Sequence, residues 1–167
     1  MKEVKAIVYT SNTGFTAKYA ELLGKKLNIP VYAAKEAKKS LTKGTEIIYM
    51  GWLMAGSVKD YPQAAKRYQV LALCGVGMAP GGAQDEEVRK KYKLEIPVFT
   101  LQGGYDHQRL TGIYKFMMNT MFRVIKKGMD KKEEISEQEK IMLDMIENGG
   151  DFVCEENLSA VLEWYRS

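Results

Sequence analysis

The feature that most constrains this chain is an alternation of compact β-rich runs with polar segments of helix-forming composition. "VKAIVYT" (4–10), "EIIYMG" (46–51), "YQVLALCG" (68–75) and "IPVFTLQGG" (96–104) read as strands, and "PVYAA" (30–34) reads as a short extended piece. The stretch 14–27 carries Phe15, Tyr19, Leu22, Leu23 and Leu27 at helical spacing. "YPQAAKR" (61–67) and "AQDEEVRKKY" (83–92) have the length a crossover helix needs. Strands that are apolar along their whole length must be covered on both faces. The pattern therefore predicts an α/β fold, a doubly wound, five-stranded parallel sheet with helices on either side. At 167 residues and 46% apolar composition the chain is the size of one domain with a full core, so residues 1–167 are read as a single domain.

Charge and cysteine content remove several function classes. The net charge of +4 is mild and its basic residues are spread along the chain, which gives nucleic acid no concentrated footprint. Cys74 and Cys154 stand far apart with no CxxC spacing and a single histidine, so neither a disulfide framework nor a metal site is expected. That usage fits the reducing cytoplasm, and the first ten residues hold too short an apolar run for a signal-peptide core or a membrane span. No Ser-His-Asp set or paired carboxylates can be assembled, so hydrolase chemistry lacks residues and no catalytic residue is assigned.

In a parallel sheet of this type ligands sit beyond the carboxyl ends of the strands. Four segments follow those ends: "TSNTGFT", "GWLMAGS", "CGVGMAPGG" and "QGGYDHQ". The first carries the most specific chemistry. A helix opening at about Gly14 offers free N–H groups and the positive end of its dipole, and the hydroxyls of Ser11, Thr13 and Thr16 can donate to phosphate oxygens. A Walker loop would need Gly-Lys-Ser/Thr and a dinucleotide fingerprint would need three glycines; this segment has neither.

Ser11–Thr16, S-N-T-G-F-T, resembles the S-x-T-G-x-T phosphate loop of the flavodoxin family, whose members bind FMN without a metal. The resemblance covers strand order and loop positions from residue 3 to about 104. It implies that Ser11, Thr13 and Thr16 bind the FMN phosphate through their hydroxyls, with main-chain donors from Asn12, Gly14 and Phe15. It also implies that the segments after the third and fourth strands enclose the flavin ring, which brings in Trp52, Leu53, Gly75, Val76 and Gly77. Trp52 could stack on the ring or simply pack at a strand end, and both readings stand. The function implied is electron transfer or a small FMN-dependent oxidoreductase. The alternative is a flavodoxin-fold interaction module without bound cofactor.

A minimal flavodoxin ends soon after the fifth strand, and this chain continues with a helical insert at about 105–150. "LTGIYKFMMNTMFRVIKKG" (110–128) is an amphipathic basic helix with Gly128 as its C-cap, and "SEQEKIMLDMIENGG" (136–150) is a second helix with the capping-box pair Ser136 and Glu139. "DFVCEEN" is a strand or half-strand and "LSAVLEWYR" the closing helix. The insert resembles that of bacterial flavodoxin-type, menaquinone-dependent protoporphyrinogen dehydrogenases. This implies a redox partner protein or a porphyrinogen or quinone substrate, and peripheral membrane contact through the basic helix at the inner face of the membrane. His107, in the loop after the fifth strand, is read as a solvated loop residue or a proton relay.

Overall fold

The computed structural model describes residues 2–167. Its elements run β1 (Ala6–Thr10), α1 (Phe15–Leu27), β2 (Val31–Ala33), α2 (Ala34–Ser40), β3 (Glu46–Met54), β4 (Ser57–Val58), α3 (Tyr61–Arg67), β5 (Gln69–Gly77), α4 (Asp85–Tyr92), β6 (Val98–Gln102), β7 (Gly104–Tyr105), α5 (Gly112–Asp130), α6 (Glu137–Asn148), β8 (Gly150–Asp151) and α7 (Ser159–Arg166). The residues fall into two compact units, one holding the chain up to Gly103 together with Phe152–Ser167, the other Gly104–Asp151.

The first unit is an α/β unit built on a mostly parallel sheet. Its strands lie in the order β2-β1-β3-β5-β6, with β4 paired antiparallel to β3. Ile7 sits opposite Ile48, Met50 opposite Cys74, and Cys74 opposite Phe99. Because strand side chains alternate, successive residues feed two separate cores. Ile7, Ile48, Met50, Cys74 and Val76 pack with Tyr19 and Leu23 of α1, with Leu158 just ahead of α7 and with Val161 of α7. Ala6, Val8, Ile47, Tyr49 and Leu73 pack with Ala37 of α2, Ala64 of α3 and Val88 of α4. Each fully buried Ile, Leu or Val contributes about 1.5–3 kcal/mol to this packing.

Two strands run further than their sequence predicts. β1 stops at Thr10, opposite Gly51, but β3 continues through Trp52 and Leu53 to Met54. Ala55 and Gly56 both adopt the left-handed conformation, φ 49° and 71°, and make the tight turn that folds β4 back on β3, with Leu53 opposite Val58. The segment expected as a loop after the third strand is thus a hairpin, and Trp52 and Leu53 are strand residues. β5 likewise runs past the predicted end at Gly75, so that Val76 and Gly77 are strand residues rather than loop. A strand end with two glycines in three residues is hidden from propensity reasoning, and pairing with β3 and β6 overrides that weakness.

In the second unit β7 and β8 pair antiparallel, Gly104 with Asp151 and Tyr105 with Gly150. α6 begins with the expected capping box: the Glu139 N–H donates to Ser136 Oγ at 3.2 Å, and the Ser136 N–H to Glu139 Oε2 at 2.9 Å. α5 does not end at Gly128. It runs to Asp130, with Gly128 inside it, because Met129 in the following position is buried and holds the last turn in place. Only Asp151 of "DFVCEEN" is in a strand. No helix among the described residues is long and apolar enough to cross a membrane.

Candidate functional site

The loop between β1 and α1 lies where the sheet order turns: β1 has β2 on one side and β3 on the other. Gly14 is the N-cap of α1 at φ 104°, a conformation that disfavours any residue with a Cβ. Lacking a side chain, it offers nothing to the first N–H groups of the helix, which face the loop with the positive end of the dipole of a 13-residue helix. The Gly14 N–H donates to Ser11 Oγ at 3.1 Å, folding the loop and leaving the Ser11 hydroxyl proton to donate elsewhere. Ser11, Thr13, Gly14 and Phe15 are half-buried, Asn12 is exposed, and Thr16 is buried at 1% exposure. The hydroxyl set therefore spans two depths, with Thr16 beneath the loop.

The start of this loop is braced by residues that sequence reasoning missed. Thr10 Oγ1 donates to Asp60 Oδ2 at 3.2 Å, and the Tyr49 hydroxyl lies 2.9 Å from the same Thr10 oxygen while donating to the Lys59 carbonyl at 2.7 Å. Burial pushes the Tyr49 hydroxyl well above its ordinary range, so it stays a neutral donor. Lys59 Nζ stands 3.6 Å from Asp60 Oδ1. The sequence signal for this brace is faint, a Lys-Asp pair ahead of a helix that carries proline in its first turn.

The ends of β5 and β6 meet α1 at Gly103. Its N–H donates to the Gly77 carbonyl at 2.8 Å. A Cβ placed on Gly103 would stand 2.6 Å from Val76 Cγ1 and 3.1 Å from Phe15 Cβ, so only glycine lets the main chain approach this closely. The structure thus gathers Phe15, Val76 and Gly77 around one backbone position. Trp52 is the register partner of Val76 and, by the two-residue period from Ile48 and Met50, belongs to the α1 side of the sheet. Leu53 does not join them. It packs on the other face, 3.3–3.4 Å from where Cβ atoms on Gly77 and Gly75 would be. Trp52 and Leu53 therefore stand on opposite faces of the sheet.

The segment after β5 is fixed to β6. Gln102 Nε2 donates to the Met78 carbonyl at 3.2 Å and Gly82 N–H to the Thr100 carbonyl at 2.9 Å. Asp85 Oδ1 accepts from both Thr100 N–H at 2.6 Å and Thr100 Oγ1 at 2.7 Å. Burial pushes the Cys74 thiol up to about 12, which makes it an inert packing group; Cys154 is half-buried. Among the described residues no group of His, Cys, Asp and Glu could hold a metal ion. In the second unit His107 is exposed, its Nδ1 2.8 Å from the Tyr105 hydroxyl, which burial holds above the usual phenol range.

No protein-family model matches this chain, and searches of the curated proteins and of the solved structures found no match either.

Proposed function

We propose that this chain is a flavodoxin-like, doubly wound FMN-binding redox protein of the cytoplasm, serving as an electron carrier or a small FMN-dependent oxidoreductase. The observation that carries the reading is the glycine-capped start of α1 with the Ser11 and Thr13 hydroxyls beside it, at the carboxyl edge of the sheet between β1 and β3. That edge, in a sheet of order 2-1-3 and onward, is where doubly wound proteins bind FMN.

The donor set fits a monophosphate. Ser11, Thr13 and the first N–H groups of α1 would hold it with neutral donors, and Ser11–Thr16 contains neither a lysine to reach outer phosphates nor an acid to bind magnesium. Thr16, buried under the loop, would support the cradle from below. Trp52 and Val76 on the α1 side would flank the flavin ring, and the contact of Phe15 with Gly103 would keep water from the start of the helix. Leu53 and Gly75 would shape the backbone of β3 and β5 rather than touch the ring. The bound flavin would supply one- and two-electron transfer; the protein would supply orientation and the electrostatics around it. Its electrons would pass to or from a redox partner protein or a small organic substrate of the porphyrinogen or quinone class.

The phosphate role is tested by comparing FMN with riboflavin, which lacks the phosphate. Wild-type protein should bind FMN at least about tenfold more tightly, and Thr13→Val should remove about tenfold of FMN affinity while leaving riboflavin unchanged. Equal affinity for the two flavins, or an unaltered FMN affinity in Thr13→Val, would refute the assignment.

A further inference from the structure

Helix α5 keeps a second apolar face after burying its first. Phe122 and Met129 are buried, with the Tyr105 ring edge-on to Phe122 at 4.8 Å, and they form part of the core of this unit. Facing away from that core, Ile113 is 68% exposed, Phe116 71%, Val124 66%, Met117 45% and Met121 42%. With about 200 Å² for a large side chain, the exposed parts of these five come to about 600 Å² per chain, against about 800 Å² per partner in a standard protein interface. An apolar surface of that size marks an interaction site.

The spacing shows what it is shaped to meet. Ile113, Met117, Thr120 and Val124 recur at intervals of four, three and four residues, the seam of a helix that packs lengthwise on another helix. Thr120 is the polar member of the four, and its hydroxyl already donates to the Phe116 carbonyl at 3.0 Å, so covering it leaves no donor unpaired. At about 100° per residue Lys115 and Lys126 fall on the side of the helix away from this seam. Lys126 is in addition paired with Glu147 at 2.9 Å.

The residues beside the seam select the occupant. Laid antiparallel about a two-fold axis, with Ile113 level with Val124 of a second copy and Met117 level with its Thr120, the helix complements itself. One flank then sets the Phe116 ring beside Arg123 of the second copy, a cation on an aromatic face, and the other sets Tyr114 beside its Met121. Arg123 does not meet its own counterpart, and Lys127 falls past the start of the opposing helix at Gly112, in water. A parallel pair would instead press Lys127 against Lys127 within the seam, at a cost in like-charge repulsion.

We infer that two copies of this chain pair through α5 in an antiparallel, two-fold arrangement, the Ile113–Val124 seam of each covering the seam of the other. This does not depend on the flavin reading, since every residue it uses lies in the second unit.

The experiment is sedimentation equilibrium of the full-length protein from about 1 to 100 µM, the range in which a modest interface of this size is read. Wild type should run as two chains per particle at the upper end and dissociate on dilution. Val124→Glu, at an exposed position, sets a carboxylate against Ile113 of the second copy and should raise the dissociation constant about 100-fold or more, with circular dichroism checking that the chain stays folded. Phe116→Ala should raise it about tenfold. In a Cys154→Ser background, oxidation of the protein carrying both Ile113→Cys and Val124→Cys should yield a cross-linked dimer, and neither single substitution should. The two positions lie about 16 Å apart along one helix and meet only between antiparallel copies. A protein that stays monomeric across the range, a dimer that Val124→Glu and Phe116→Ala leave intact, or any other cross-linking pattern would overturn the inference. So would a monomer that sediments with phosphatidylglycerol vesicles, which would give the apolar face to lipid.

Discussion

Removing one oxygen atom from the core gives the sharpest test of how the first unit is joined. The hydroxyl of Tyr19, a residue with 0% exposure on α1, donates to the Gln102 carbonyl at 2.5 Å and accepts from Asn157 Nδ2 at 2.7 Å. Asn157 Nδ2 also donates to the Phe152 carbonyl at 3.0 Å, and the Phe152 N–H donates to the Gly103 carbonyl at 2.7 Å. The one hydroxyl therefore links α1 to the two points where the chain leaves this unit and returns to it. Tyr19→Phe preserves the ring and its packing, so no cavity adds to the cost. The Gln102 carbonyl and the Asn157 amide each lose a partner, at about 1–3 kcal/mol per unsatisfied buried group, with Asn157 at the low end because Phe152 still accepts from it. The total is about 2–3 kcal/mol, or a fall in Tm of about 5–10 °C for a chain of this length. Urea titration followed by circular dichroism should show a lower midpoint at unchanged slope. A double-mutant cycle with Asn157→Ala should give a coupling of about 1 kcal/mol. A Tyr19→Phe protein within about 0.5 kcal/mol of wild type, or strict additivity with Asn157→Ala, would refute the reasoning.

Other expectations concern single groups. The Lys132 ammonium, and after it the Ser136 N–H, hold the Glu139 carboxyl down from 4.5 to about 2. A carboxyl lowered on folding stabilises the start of α6 above about pH 4.5 and loses that contribution as pH falls toward 2; carbon chemical shifts of the first turn of α6 should follow that titration, and Glu139→Gln should flatten it. In the native protein a thiol reagent at mildly alkaline pH should modify Cys154 and spare Cys74, whose burial pushes its thiol up to about 12, with both reacting after denaturation. Fast native labelling of Cys74 would contradict the packing described for β5.

Much of this fold is legible in residue order because buried parallel strands leave a strong mark. The runs at 4–10, 46–51, 68–75 and 96–104 are apolar along their length, and each contains a strand of the sheet. Helix α1 is equally plain from the spacing of Phe15, Tyr19 and Leu23, and the start of α6 from the Ser136–Glu139 pair. What stayed hidden depends on tertiary partners. The extension of β3 through Trp52 and Leu53 rests on an alanine in a left-handed turn, which no propensity predicts. Gly128 looks like a helix end because the burial of Met129 is invisible in sequence. At the candidate site the hydroxyls and the glycine were readable, whereas the Thr10–Asp60–Tyr49 brace joins residues 10, 49 and 60 and has no local signature. The burial of Thr16 and the turning of Leu53 to the opposite face are likewise properties of packing alone.

Flavin binding is the central claim, and a fluorescence titration of the purified protein with FMN tests it most directly. Saturable quenching or enhancement of flavin emission at one site per chain is expected, with the bound flavin's absorption bands shifted by the surroundings of Trp52 and Val76. Flavin emission and absorption that stay those of free FMN at every protein concentration would contradict it.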